Sequence, residues 1–427
     1  MLLQFQVRNF RSICDEQTLS MVASHPSYLP SNHSVETENS FAPFALRSAC
    51  LFGANASGKS SFVGAIEFFG SFIYNSATKY TQDEEIPFFP FKLEEKNRGE
   101  PSSFEAIFIH DQCLYQYGFS VNKKRVTDEW LFMRPNTPGS RMRHLVKREY
   151  DQDHGEYVWH LNESYLKGER EAWKQSTREN ALFLSTAVQL NSEALKPIHD
   201  WVSQKLRVIT SPDRLLNNYT SKALSEPKRK TAIYSLLNSM DIPFDEIVLS
   251  EADDEIPASL KEIFRASALE KILEQHKNEK SYSVEILRKS ASGKMVAFDL
   301  GEESDGTQVL YGLSGPIVDV IENGRCLVVD ELHNSLHPIA LRTLLRIFND
   351  PIQNPNKAQL IFTSHETSIM DHGALNRDQI WLTEKDAMGK TSVSPLSDFK
   401  VRKEASFQRM YLAGKFGGVP RTRNEIF

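Results

Sequence analysis

The residues best suited to chemistry lie in Gly53-Ala54-Asn55-Ala56-Ser57-Gly58-Lys59-Ser60, a G-x-x-x-x-G-K-[ST] pattern set between an apolar strand and a helical run. Glycines at both ends let backbone N–H groups wrap a phosphate, and the helix N-terminus adds a favourable dipole. Lys59 would reach the β- and γ-phosphates and Ser60 would ligate magnesium. Gly53, Asn55, Gly58, Lys59, Ser60 and Ser61 form the candidate nucleotide-binding set, with ATP and Mg2+ as the expected cofactors. A guanine reader needs an Asn/Thr-Lys-x-Asp motif, and Thr383-Glu384-Lys385-Asp386 misses its lysine position.

A second constellation lies far downstream. Cys326-Leu327-Val328-Val329 is a buried apolar strand that runs into Asp330 and Glu331, two carboxylates suited to a magnesium shell and to polarising an attacking water. Upstream of them stands Glu303-Ser304-Asp305-Gly306-Thr307, and downstream His365 ends the strand AQLIFTS. This order resembles the ABC-type ATPases of the SMC, RecF and RecN branch: P-loop, long insertion, signature serine, Walker B, D-loop, switch histidine. The resemblance implies that Ser304 and Gly306 cap the γ-phosphate, that Asn334-Ser335-Leu336-His337-Pro338 is the D-loop, and that His365 contacts the γ-phosphate. The family signature is usually Leu-Ser-Gly-Gly, and here the serine and one glycine remain.

These motifs need a scaffold, and the rest of the chain supplies one. Leu3, Phe5 and Val7 alternate with Gln4, Gln6 and Arg8 as in a half-buried strand, and SFEAIFIHDQCLYQYGFSV reads as two strands joined near His110 and Asp111. After Lys59, Val63, Ile66, Phe69 and Phe72 recur at helical spacing. NSEALKPIHDWVSQKL, RKTAIYSLLNSM and SLKEIFRASALEKILEQHK read as helices, with EADDEIP a loop, and strands return at about 281–300, 326–330, 358–364 and 379–384. The expected organisation is a P-loop lobe over 1–189, a helical insertion over 190–280, and a lobe over 281–427 with signature, Walker B, D-loop and switch histidine.

Composition sets the outer limits. The 427 residues are 40% hydrophobic and 25% charged, as in globular proteins. A formal charge of -6 excludes a global basic field for nucleic acid or an anionic membrane. Four scattered cysteines form no CxxC pair, so free thiols in a reducing cytoplasm are expected. No apolar run approaches a membrane span and the start lacks a signal-peptide pattern, which predicts a cytoplasmic chain without a membrane partner.

The opening VRNFRSI, the stretch Glu179 to Ser185, the Glu-Ser-Asp-Gly-Thr signature and the closing Tyr411-Leu412-Ala413-Gly414-Lys415-Phe416-Gly417-Gly418-Val419-Pro420 resemble the stand-alone bacterial ABC-type AAA ATPases of the AbiLi/RloA group. That group is associated with abortive infection and anti-phage islands and works beside a separately encoded effector. The resemblance implies an α/β ABC-ATPase head, with a P-loop sheet, flanking helices and an antiparallel β subdomain, interrupted by the helical insertion. It implies a homodimer or higher homo-oligomer with ATP sandwiched between heads, a nuclease-like effector, and nucleic acid as an open further partner. It also makes Gln189 a candidate magnesium-shell residue, beside Ser60 and Asp330. Two rival readings stay open: a RecF- or SMC-like DNA-repair ATPase, and a nucleotide-gated scaffold with negligible turnover.

Overall fold

Two kinds of strand sequence give two kinds of sheet. In the computed structural model, residues 24–31, 38, 41, 138, 211–213, 253–280, 335, 372, 401–405 and 420–427 lie outside the described residues. Apolar runs such as Ser48–Gly53, Cys326–Val329 and Gln359–Thr363, buried along their whole length, suit a parallel sheet covered on both faces. The spatial order is Leu206–Ile209, Cys326–Val329, Gln359–Thr363, Ser48–Gly53 and Ile380–Lys385, all parallel, with Thr391–Pro395 closing one edge antiparallel. The alternating sequences form a seven-stranded antiparallel sheet in the order Glu156–Leu161, Arg143–Asp151, Val126–Pro135, Cys113–Val121, Ser102–His110, Leu2–Arg8, Gln17–Ser20. The α/β architecture, with its parallel P-loop sheet and antiparallel sheet, is the expected one.

The helix Lys59–Asn75 joins the two sheets. It buries Phe62, Val63, Ile66, Phe69, Phe72 and Ile73 and packs on Leu2–Arg8, Ser48–Gly53 and Ser102–His110. Phe5 meets Phe62 and Phe69 edge-on at 5.8 and 5.6 Å, and Phe69 stacks on Phe119 at 5.6 Å. Each such buried ring is worth about 1.5–3 kcal/mol in transfer free energy, with a further ~0.5–1.5 kcal/mol for a well-oriented pair. The helix that must present Lys59 is therefore held along its length by a common core.

Two compact units divide the chain: Met1–Ser211 with Val320–His333 and Leu344–Phe427, and Pro212–Asp319 with Asn334–Thr343. The second contains the helices Arg214–Leu224 and Pro227–Ser239, the antiparallel sheet Glu246–Ala252, Ser281–Lys289, Met295–Asp299, and most of the helix Asp305–Asn323. Pro316 cannot donate to the carbonyl of Gly312 one turn earlier, and the Thr220 hydroxyl donates to it instead at 2.9 Å.

The segment read as one helix over 191–206 is broken up. It forms the helix Lys196–Asp200, the π-helical turn Trp201–Lys205 and then the strand Leu206–Ile209, which pairs with Cys326–Val329. Four residues are too short to show a period, and their partner lies more than a hundred residues away. Pro227–Ser239 is helical as expected, whereas SLKEIFRASALEKILEQHK and most of EADDEIP lie outside the described residues.

Candidate nucleotide site at the carboxyl ends of the parallel strands

The strand Ser48–Gly53 ends at the rim where parallel sheets bind ligands. The chain then turns through Ala54 to Gly58 and enters the helix at Lys59. Ala56 and Gly58 take left-handed backbone, φ 59° and 113°. Gly58 is required twice over, since a Cβ there would run into the Thr391 side chain. The helix's first turn carries no acidic residue and no side-chain cap, so its own residues leave its positive end open to an anion.

Hydroxyl groups brace this loop from beneath. Ser57 Oγ is hydrogen-bonded to Thr383 Oγ1 at 2.6 Å, and Thr383 Oγ1 also donates to the Phe52 carbonyl at 3.1 Å. Thr391 Oγ1 lies 2.9 Å from the Ser57 carbonyl and 2.8 Å from Ser12 Oγ, which is 2.8 Å from Ser61 Oγ. Lys59 Nζ donates to the carbonyls of Gly53 and Ala54 at 2.9 and 3.1 Å. Burial lowers its pKa, against the opposing pull of Asp330 and Glu331. Ser60 faces solvent at the head of the helix.

The carboxylates arrive on the strand two places away. Asp330 is buried and its Oδ1 accepts the Thr363 hydroxyl at 2.6 Å, while its backbone N–H donates to Ile209 at 2.9 Å. Glu331 has left-handed backbone, φ 51°, and its N–H donates to Thr363 Oγ1 at 2.6 Å. His365 and His333 meet edge-to-face at 5.3 Å. Burial lowers both histidine pKa values; the Lys59 cation adds to it, and Glu331 works against it. The Ser60 hydroxyl and the Asp330 carboxylate are hard oxygen donors of the sort magnesium takes from a protein, leaving the rest of its shell to phosphate and water. The residues present therefore fit that ion.

Residues 48–371 match the family model described as "AAA domain, putative AbiEii toxin, Type IV TA system". The chain belongs to this family. No curated protein is significantly similar to it. Solved structures similar to it include the SMC head domain from Thermotoga maritima, at 11% identity over 94% of this chain and 99% of that one, with a TM-score of 0.40. Another is an SmcHead bound to the C-winged helix domain of ScpA, at 13% identity over 92% and 96%, TM-score 0.41. A third is an Smc head domain with an extended coiled coil bound to the C-terminal domain of ScpA derived from Pyrococcus furiosus, at 11% identity over 93% and 97%, TM-score 0.40.

Within this AAA domain, Gly53 to Ser61, Asp330, Glu331 and His365 share one compact unit, and Lys59 lies close enough to the two carboxylates and to His365 to shift their mutual electrostatics. Gln189 is in the same unit, exposed at the end of the helix Phe183–Gln189; among the described residues no hydrogen bond joins it to the P-loop. Ser304 and Gly306 belong to the other unit. There Ser304 caps the helix Asp305–Asn323, accepting from the Thr307 N–H at 3.3 Å, and Arg288 grips the adjacent Glu303 with two bonds of 2.6 and 2.9 Å. Of the D-loop stretch, Leu336 is buried and His337 exposed. Four residues at the P-loop site escaped the sequence reading: Ser12, Thr363, Thr383 and Thr391. Ser12 lies in a turn, and threonine in a strand is ordinary β-branched filler by pattern; strand register, parallel for Thr363 and Thr383 and antiparallel for Thr391, reveals which hydroxyls reach the site.

Proposed function

We propose that the chain binds Mg-ATP and hydrolyses it as a dimerising switch, the regulatory ATPase of a bacterial anti-phage system that controls a separately encoded effector. The observation that carries the ATPase reading is the convergence of Lys59 with Asp330 and Glu331 at the carboxyl ends of two strands of one parallel sheet, separated by Gln359–Thr363. In this reading the loop N–H groups and Lys59 hold the phosphates, Ser60 and Asp330 hold magnesium with Gln189 completing its shell, and Glu331 takes the proton of the attacking water. His365 hydrogen-bonds the γ-phosphate. Magnesium, when bound, neutralises charge on the phosphate oxygens. Ser304 and Gly306 of a second copy close the site, so that ATP binding joins two heads and hydrolysis parts them. The family description, which names an AbiEii toxin and a toxin–antitoxin system, supports placing the switch in defence, as does the likeness to the AbiLi/RloA group. No described helix is long and apolar enough to cross a membrane.

Glu331→Gln tests the assignment: ATP binding is expected within about threefold of wild type, with turnover down at least about a hundredfold, the scale of a lost general base. Turnover at the wild-type rate removes Glu331 from that role. Mixing Lys59→Ala with Ser304→Arg tests the shared site, since a mixed dimer keeps one site with both halves intact, and partial recovery of hydrolysis is expected. Efficient hydrolysis by a strict monomer overturns the sandwich. Strong stimulation by duplex DNA moves the role to DNA repair, and tight ATP binding without turnover moves it to a scaffold.

A further inference from the structure

Thr363 ends the strand Gln359–Thr363, two residues before His365, and is fully buried. Its single hydroxyl makes two bonds at once. It donates to Asp330 Oδ1 at 2.6 Å and accepts from the backbone N–H of Glu331 at 2.6 Å. Its carbonyl accepts a third bond, from the Leu332 N–H at 3.2 Å. Three successive residues of the neighbouring strand end are thus tied to one residue. The middle one, Glu331, sits in left-handed backbone, where a side chain with a Cβ does not rest without support.

We propose that Thr363 is the positioning residue of this site: its hydroxyl fixes the Asp330 carboxylate and holds the Glu331 backbone in the left-handed turn that aims its side chain. A hydroxyl has one proton and two lone pairs, so it can donate to a carboxylate and accept from an amide together. No apolar side chain of the same shape can do either. Position matters here because Asp330 Oδ1 and the Glu331 N–H belong to adjacent residues with different tasks, and one clamp fixes the distance between them. Lys59 is anchored separately, by its bonds to Gly53 and Ala54, so nucleotide binding and the geometry of the carboxylates are separable. The catalytic part of the inference rests on the ATPase reading; the clamp itself does not.

Thr363→Val keeps the β-branched shape and removes the hydroxyl. Amide hydrogen exchange of the peptide spanning 326–334 reads the clamp directly, without nucleotide. Exchange at Glu331 is expected to rise at least about tenfold in Thr363→Val and to stay within about threefold of wild type in Thr363→Ser, which keeps the hydroxyl. Turnover is expected to fall about a hundredfold in the valine variant, the scale of a slight misplacement of catalytic groups, with KM and binding of a non-hydrolysable ATP analogue within about threefold. Thr363→Ser should restore the rate. If the valine variant does not fold, Thr363→Cys, whose thiol is a far weaker partner, is read in its place. Unchanged exchange at Glu331, a valine variant within twofold of the wild-type rate, or a serine variant as slow as valine each overturn the proposal. Wild type and Glu331→Gln run alongside: a wild type without turnover overturns the ATPase reading, Glu331→Gln at the wild-type rate removes Glu331 from the general-base role, and in either case the exchange measurement decides the clamp.

Discussion

The ammonium of Lys59 donates to the backbone carbonyl of Gly53 at 2.9 Å, so the cation closes the loop from whose far end it springs. A phosphate entering the loop would compete for that ammonium, and charge-assisted bonds to an anion outweigh those to neutral carbonyls. Lys59→Ala should therefore weaken binding of a fluorescent ATP analogue by about a hundredfold or more. The melting temperature should fall by several degrees, because each lost bond from the charged ammonium is worth about 1.5–3 kcal/mol. Binding within tenfold of wild type would remove Lys59 from the phosphate site.

His333 and His365 predict an acid-side loss of stability. Burial depresses both pKa values below the ordinary 6.5, with Lys59 adding to the effect, while Glu331 opposes it at both rings, Glu366 at His333 and Asp330 at His365. A depressed folded-state pKa means that the unfolded chain takes up its proton first as pH falls. The contribution is complete above the unfolded value near 6.5 and is lost as pH drops through the folded values. The histidine contribution should be constant from pH 8 to 7 and fall by pH 5.5, so the double variant His333→Gln/His365→Gln should lose less melting temperature than wild type between pH 7 and 5.5. A double variant that loses as much as wild type would place the acid sensitivity elsewhere, with the Met1 amino group, whose pKa burial lowers to about 5, the first alternative and His33 the next.

Gly58→Ala strains the backbone at φ 113° and forces its methyl into Thr391. Left-handed backbone costs about 1–2 kcal/mol for a residue with a Cβ, and overpacking adds about 1–3 kcal/mol. The variant should bind ATP at least tenfold more weakly and melt lower. Adding Thr391→Ala should return part of the stability, by relieving the overlap and not the torsion. A pair whose effects simply add would show that the two residues do not press on each other.

The glycine-containing turn over 54–58, the strand before it and the helix after it were legible in the sequence because each is a local signal: a glycine pattern, an apolar run, a 3.6-residue period. Asp330 and Glu331 were legible by their place at a strand end, and their meaning came from the order of motifs along the chain. Leu206–Ile209 was hidden because its strand character is conferred by Cys326–Val329, a partner with no local trace. Thr363 and Thr383 were hidden for the same reason. Each becomes a site residue through parallel register, with Thr363 opposite Leu51 and Thr383 opposite Gly53.

The closing Tyr411 to Pro420 stretch, singled out only by resemblance, returns to the P-loop as far as it is described. Gly414, Gly417 and Gly418 all have φ near 70°, and the Tyr411 hydroxyl donates to the Gly418 carbonyl at 2.9 Å within a buried site. Burial pushes the Tyr411 pKa up to about 12, which keeps the phenol protonated and donating. A Cβ on Gly418 would stand 3.2 Å from the Thr383 carbonyl and 3.9 Å from the Cα of Gly53. Gly418→Ala should thus press on the carbonyl of Thr383, the strand partner of Gly53, while carrying about 1–2 kcal/mol of left-handed strain. ATP affinity is expected to fall about tenfold. Tyr411→Phe leaves a buried carbonyl unpaired, at about 1–3 kcal/mol, and should lower the melting temperature with a smaller effect on binding. Leu412, largely exposed beside it, is the control, and Leu412→Ala should change neither quantity. Wild-type ATP affinity in Gly418→Ala would show that the tail covers the strand end without shaping the loop.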